Sequence, residues 1–222
     1  MEWGILAVTF IFIVVGYIVL QGTRASIAWR KAASSGDLDV VRQILEDAIA
    51  SWRSAKRPKE VAPDVWRGVQ TVALVDVAAD DAPAGASLSA SVSCQVESEY
   101  RLLDGRWLEV SSPLQEGFAV TARLGDMLLY DVPNLRLDAV RIDVHTTFRD
   151  ADGAAERACI LTTNVRREVA RQVDWEEWTA AEIVDAFGGR YRLGERGVAL
   201  PIDPAEGGAA PETGGLRVRP RP

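Results

Sequence analysis

The first twenty residues differ from the rest of the chain in their hydrophobic pattern. Residues 3–20 (WGILAVTFIFIVVGYIVL) contain no charged side chain. Eighteen residues of α-helix extend about 27 Å, which is close to the roughly 30 Å thickness of a bilayer's hydrocarbon core. Trp3 and Tyr17 fit the positions that aromatic residues occupy at membrane interfaces. The pattern therefore predicts a single transmembrane helix.

Two other interpretations of this segment fit less well. A cleaved signal peptide has a basic start and an apolar run of about 7–15 residues, whereas residues 3–20 follow no basic residue and form a longer run. A buried helix of a soluble protein is rarely apolar on all sides. We therefore expect residues 1–33 to form an uncleaved anchor in contact with the lipid bilayer, with a juxtamembrane helix.

The charges beside the predicted span indicate its orientation. Only the terminal amine and Glu2 precede it, whereas Arg24, Arg30 and Lys31 follow it. Basic residues stay on the cytoplasmic side of a membrane. We therefore expect a single-pass protein of the cell membrane, with its N-terminus outside and its soluble part in the cytoplasm.

A helical pattern dominates residues 34–64. A helix is expected from about Asp37 to Ser54, and residues 55–64 form a basic, proline-containing linker. Apolar residues at helical spacing form one stripe of this helix: Val41, Ile44, Leu45, Ala48 and Trp52. We expect an amphipathic helix that buries one side.

Patterns typical of strands begin beyond residue 65. Residues 69–77 are rich in β-branched side chains, and residues 90–102 have a period of two, in which Ser98 stands in the otherwise apolar series. Asp104-Gly105 is a hairpin turn signal, and residues 107–110 suit a short return strand. A second hairpin is expected from the following segments: 137–148, the turn 150–153, and 158–165.

Two helices are expected among these strands. The first begins at a capping box of Ser112 and Gln115, with Pro113 at its first position. The second spans about 175–187, and either of two capping boxes could begin it. These boxes are Asp174 with Glu177 and Thr179 with Glu182.

The predicted fold class is α+β. We expect residues 65–203 to form an antiparallel sheet with helices on one face, in the order β-β-α-β-β-α. Residues 204–222 are rich in Gly, Pro and Ala and suit a disordered tail.

Composition narrows the classes of function. The chain has 222 residues, a formal net charge of −7, 48% hydrophobic and 26% charged residues, which is typical of a globular protein. No large basic block is present, so nucleic acid is not an expected partner. Two cysteines are too few for a disulfide scaffold.

Residues that carry chemistry are sparse. The single histidine, His145, falls on the polar side of a predicted strand with Asp143, and no GxSxG motif supplies a nucleophile for them. Cys94 and Cys159 fall on apolar sides, as buried inert thiols do. The sequence contains no phosphate-binding motif, and we predict no catalytic residue, no metal site and no cofactor.

Tryptophan is frequent in this chain and favours protein contacts. The candidate partner contacts are Trp29, Trp52, Trp175 and Trp178. We therefore predict a non-catalytic interaction or assembly protein, such as an accessory subunit that binds other membrane or membrane-associated proteins. One alternative is a membrane-tethered module that binds a small ligand or lipid. A cytoplasmic-facing enzyme using His145, Asp143 or Cys159 is a third.

Overall fold

The computed structural model describes residues 14–17, 19, 22–23, 31–32, 36–82, 85–103, 105–149 and 152–205. The predicted span, residues 3–20, and the predicted tail, residues 204–222, lie largely outside these ranges. Within the described ranges, no helix is both long and apolar enough to cross a membrane. The transmembrane helix therefore stays a prediction.

The described chain combines helices and strands, so the predicted α+β class is confirmed. The helices are α1 (Leu38–Ser54), α2 (Pro63–Gln70), α3 (Pro113–Asp126), α4 (Arg167–Ala170) and α5 (Ala180–Ala186). The strands are β1 (Ala73–Ala82), β2 (Gly85–Gln95), β3 (Glu99–Leu103), β4 (Arg106–Ser111), β5 (Ala139–Arg149), β6 (Ala155–Arg166), β7 (Arg190–Leu193) and β8 (Ala199–Leu200). A π-helical turn, Met127–Asp131, continues α3, and a 3₁₀ turn, Glu195–Gly197, lies between β7 and β8.

Six strands form one mixed sheet in the order β1-β2-β5-β6-β7-β8. The prediction of a wholly antiparallel sheet is wrong, because β2 and β5 are parallel. The chain between these two strands contains β3, β4 and α3, and this long connection returns it to the starting end of β2. Parallel neighbours need such a crossover, whereas a tight turn can join only antiparallel strands.

The predicted order β-β-α-β-β-α is also wrong. The expected strand 90–102 is broken at residues 96–98, where the chain leaves the main sheet after β2 and before β3. Helix α2 occupies a segment expected to be linker and strand, and the last helix begins at Ala180 instead of residue 175. Glu97, Ser98 and Glu99 are three polar residues in succession, so the alternation of apolar and polar residues is interrupted where the strand breaks.

The core lies between helices and one face of the sheet. Helix α1 contributes Val41 and Leu45, which are fully buried, and packs beside β1. Helix α3 crosses β5 and β6, where its Gly117 lies against Val144 and Leu161. The opposite face of the sheet carries polar residues, including Asp143 and His145, which alternate with the buried ones.

Local capping signals are confirmed at two helices. The backbone N–H of Gln115 donates to Ser112 Oγ (3.3 Å), and the Ser112 N–H donates to Gln115 Oε1 (3.0 Å). Thr179 and Glu182 form the equivalent pair at α5. Each box satisfies amide groups that the first helical turn leaves without helical partners.

Candidate functional site

The β3–β4 hairpin projects from the end of β2 and forms a separate two-stranded sheet. Among the described elements, its strands pack extensively only against each other. Gly105 lies at the turn with φ of +75°, a conformation that glycine adopts without a Cβ clash. The hairpin is thus an exposed extension, fixed to the body by β2 and α3.

Strand pairing divides the hairpin side chains between two faces. Leu102 lies opposite Trp107, and Tyr100 lies opposite Glu109. These four residues form what we call the aromatic face. The other side, which we call the arginine face, carries Glu99, Arg101, Leu103, Arg106 and Leu108.

Large apolar side chains are exposed on both faces. Trp107 is 71% exposed, Leu102 is 57% exposed and Tyr100 is 55% exposed on the aromatic face. Leu103 and Leu108 are also exposed on the arginine face. A two-stranded hairpin is marginally stable alone in water, and large exposed apolar patches mark interaction sites. The hairpin is therefore the candidate interaction surface.

The sequence pattern predicts that Trp107 lies in a short strand, but Trp107 is not among the tryptophans predicted to contact a partner. The signal available was the pair of apolar doublets, Leu102-Leu103 and Trp107-Leu108, on either side of the turn. Neighbouring strand residues point to opposite faces, so a doublet places apolar side chains on both. A hairpin that covers a core needs only one apolar face.

The four tryptophans predicted to contact a partner have different surroundings. Trp29 lies outside the described residues, and Trp52 is half-buried against the core. Trp175 also packs against the core, and its Nε1 donates a 3.2 Å hydrogen bond to the Ala170 carbonyl. Trp178 is 41% exposed. The structure therefore gives Trp52 and Trp175 packing roles and leaves Trp178 accessible at the surface.

The polar face of the sheet brings His145, Asp143 and Cys159 together. His145 and Cys159 are directly opposite in the β5–β6 ladder, and Asp143 lies two residues from His145 on the same face. The Asp143 Oδ1 atom accepts hydrogen bonds from Thr162 Oγ1 (2.5 Å) and Arg141 Nε (3.1 Å). The carboxylate is thus held by Arg141 and Thr162.

Electrostatics on this face do not favour a reactive thiolate. Burial, reinforced by the Asp143 charge, raises the pKa of Cys159 to about 11. Burial and the nearby Arg157 lower the pKa of His145. An activated Cys–His pair requires the opposite shifts, a low thiol pKa and a protonated imidazole. At neutral pH this arrangement holds a neutral thiol beside a neutral imidazole.

The other cysteine is separated from this cluster. Cys94 pairs with Val144 in the parallel β2–β5 ladder, so it lies on the helix-covered face, whereas Cys159 lies on the polar face. Burial raises the pKa of the Cys94 thiol to about 12. The described residues contain no group of three His, Cys, Asp or Glu side chains positioned to hold a metal ion.

Comparisons of the chain with protein-family models, curated proteins and solved structures found no match.

Proposed function

We propose that this protein is a non-catalytic interaction or assembly protein held at the cell membrane by residues 3–20, as an accessory subunit of a membrane complex. The observation that carries the proposal is the β3–β4 hairpin, whose Trp107, Leu102 and Tyr100 side chains are more than half exposed. Tryptophan and tyrosine dominate the energetics of many protein interfaces. The hairpin supplies a contact surface, and the apolar N-terminal segment supplies attachment to the bilayer.

Attachment would strengthen weak contacts. A protein confined to a membrane meets its partners at a raised effective concentration without making any additional contact. The uninterrupted apolar run at residues 3–20 supports this attachment, and the basic residues that follow it support a cytoplasmic position for the soluble part.

Membrane attachment is tested on the full-length chain by washing membranes with alkaline carbonate. We expect the protein to stay in the membrane fraction, and a variant lacking residues 3–20 to leave it. Release of the full-length chain by the wash would contradict the anchor.

Orientation is tested with a single accessible thiol. Cys94 and Cys159 are buried, so Glu109→Cys on the hairpin adds an exposed one. A membrane-impermeant maleimide should label this variant only after the cells are opened. Labelling in intact cells would place the hairpin outside the cell.

Association is tested by extracting the native protein in a gentle detergent, sizing it, and identifying by mass spectrometry what migrates with it. We expect a defined complex that Trp107→Asp weakens. Val198→Asp is the matched control, since Val198 is similarly exposed (60%) but lies outside the hairpin. A lone species of 24.2 kDa plus detergent would contradict the subunit proposal and favour the tethered ligand-binding module.

A further inference from the structure

The two faces of the β3–β4 hairpin carry opposite charge. The aromatic face has one charged group, the Glu109 carboxylate. The arginine face has the guanidinium groups of Arg101 and Arg106 and one carboxylate, Glu99, which is 2.6 Å from Arg101 Nε. Apolar side chains accompany the charges on both faces. Each face is therefore complementary in charge and hydrophobicity to the other.

We propose that the hairpin binds a second copy of this chain head to tail, with the aromatic face of one copy on the arginine face of the next. This inference rests on the proposed assembly function and names its partner. A contact between unlike faces leaves each new copy with a free face that can bind the next copy. Such contacts generate rings where the rotation closes and open chains where it does not.

The exposed area supports the use of both faces. Burying an aromatic side chain removes roughly 150–250 Å² from water, so the partly exposed side chains of the aromatic face offer about 400 Å². A standard interface buries about 800 Å² on each partner. Each head-to-tail contact buries one face of each partner, so it is about half the standard size, and a copy approaches the standard area only over two such contacts. Confinement to the membrane would support contacts of this size.

The position of the hairpin argues against its insertion into the lipid bilayer. At the end of α1, Arg53 Nη2 donates to the Val72 carbonyl (2.5 Å), and the Gln95 N–H donates to Thr71 Oγ1 (2.8 Å). The C-terminal end of α1 and the start of the hairpin thus share one end of the sheet. The predicted anchor leads into the other end of α1, about 25 Å away for a helix of 17 residues.

Charge on the hairpin gives a second argument against insertion. Arg106 lies beside the turn, and Arg101 and Glu109 lie farther along the strands. Placing charged groups in hydrocarbon is unfavourable, so such groups rarely face lipid. Protein surfaces can pair these charges, as the complementary face does.

The test is crosslinking of the full-length chain in its membrane with a short bismaleimide. Leu102→Cys marks the aromatic face and Leu108→Cys marks the arginine face, so the charged groups of both faces are kept, and the buried native cysteines give no background. We expect neither single variant to crosslink to itself. Membranes containing both single variants should give dimers, and the double variant should give a ladder of higher species.

Two controls separate this contact from random collision. Glu46→Cys on the exposed side of α1 should give no crosslinked dimer, either alone or mixed with a hairpin variant. Adding Trp107→Asp to the double variant should reduce the ladder at least tenfold, and circular dichroism checks that its fold is retained.

Any other outcome of the crosslinking overturns the head-to-tail contact. Dimers of Leu102→Cys alone would show a symmetric contact, and the absence of crosslinks in every sample would show that the hairpin does not bind a second copy. The carbonate wash and the native complex size still test the proposed function separately. A native complex without crosslinked copies would reject only the head-to-tail contact.

Discussion

Gly68 of α2 lies so close to Val120 of α3 that a Cβ atom at position 68 would overlap the Val120 Cγ2 methyl group. Val120 is fully buried and β-branched, so it has little freedom to move aside. The absence of a side chain at Gly68 is what allows the two helices to approach so closely.

Gly68→Ala should therefore destabilise the protein. Overpacking typically costs about 1–3 kcal/mol, and the better helix propensity of alanine offsets up to about 1 kcal/mol. We expect a net loss of about 1–2 kcal/mol in urea unfolding.

Gly117→Ala is the matched control for this substitution, since Gly117 is also within a helix and an added Cβ would meet Val144 at an ordinary 3.4 Å. It should leave stability unchanged or raise it. Equal losses in the two variants would contradict the close contact at Gly68.

Trp175 and Trp178 should respond differently to substitution. The Trp175 ring packs at 5.9 Å from the Phe187 ring, between centroids, and its Nε1 hydrogen-bonds to Ala170. Trp175→Ala should lower the free energy of unfolding by about 2–3 kcal/mol, less than a fully buried tryptophan. Trp178→Ala should change it by about 0.5 kcal/mol or less, as surface substitutions do. Comparable denaturant midpoints would show that Trp175 has no core role.

The two capping boxes should contribute independently to stability. Ser112→Ala removes the acceptor for the Gln115 N–H, and Thr179→Ala removes the acceptor for the Glu182 N–H. Each variant should lose about 1 kcal/mol, and the double variant should lose the sum because the pairs share no partner. Thermal or urea unfolding measures this, and a single-variant loss near zero would contradict the cap concerned.

At alkaline pH the stability of the protein should decrease because the Cys94 thiol ionises more readily in the unfolded chain. Burial raises the pKa of this thiol from its ordinary 9.0 to about 12, so the unfolded chain releases the proton at lower pH than the native protein. The contribution of the protonated Cys94 thiol to the free energy of unfolding is complete below about pH 9. It decreases towards pH 12, by up to roughly 1.4 kcal/mol per pH unit.

The measurement for Cys94 is urea unfolding between pH 8 and 10.5, with Cys94→Ala as the comparison. Since other groups titrate in this range, the informative quantity is the difference in slope between the two proteins. The variant should show the shallower decline. Parallel profiles would mean that the Cys94 thiol ionises normally in the native state.

Some elements of the fold could be predicted because their causes are local. The stripe that contains Val41 and Leu45 predicted α1 within a residue of its bounds, since helical spacing fixes which side chains share a side. The alternation around Val140 and Ile142 predicted β5, because successive strand residues point to opposite faces. Both capping boxes depend on residues three positions apart; the box at Ser112 was predicted, and the box at Thr179 was one of two that the sequence allowed.

The candidate site was only partly predictable. The Asp104-Gly105 turn signal predicted that a strand would return at about residue 107, and β4 does so. The predicted strand 90–102, however, joined β2 to β3, although three successive polar residues, Glu97, Ser98 and Glu99, interrupt the alternation there. Whether Trp107 and Leu102 lie over a core or in solvent depends on what packs against them, and strand periodicity carries no information about that.

The sequence by itself determined where most helices and strands form, how α3 begins, and that residues 3–20 have the length and apolarity of a membrane span. Only the tertiary structure decided that β2 and β5 run parallel, which of two boxes begins α5, that Trp175 packs against the core, and that the β3–β4 hairpin stands apart with both faces exposed. The physical reason is range: capping and periodicity act over a few residues, whereas strand order and burial depend on contacts between residues such as Cys94 and Val144, fifty positions apart along the chain.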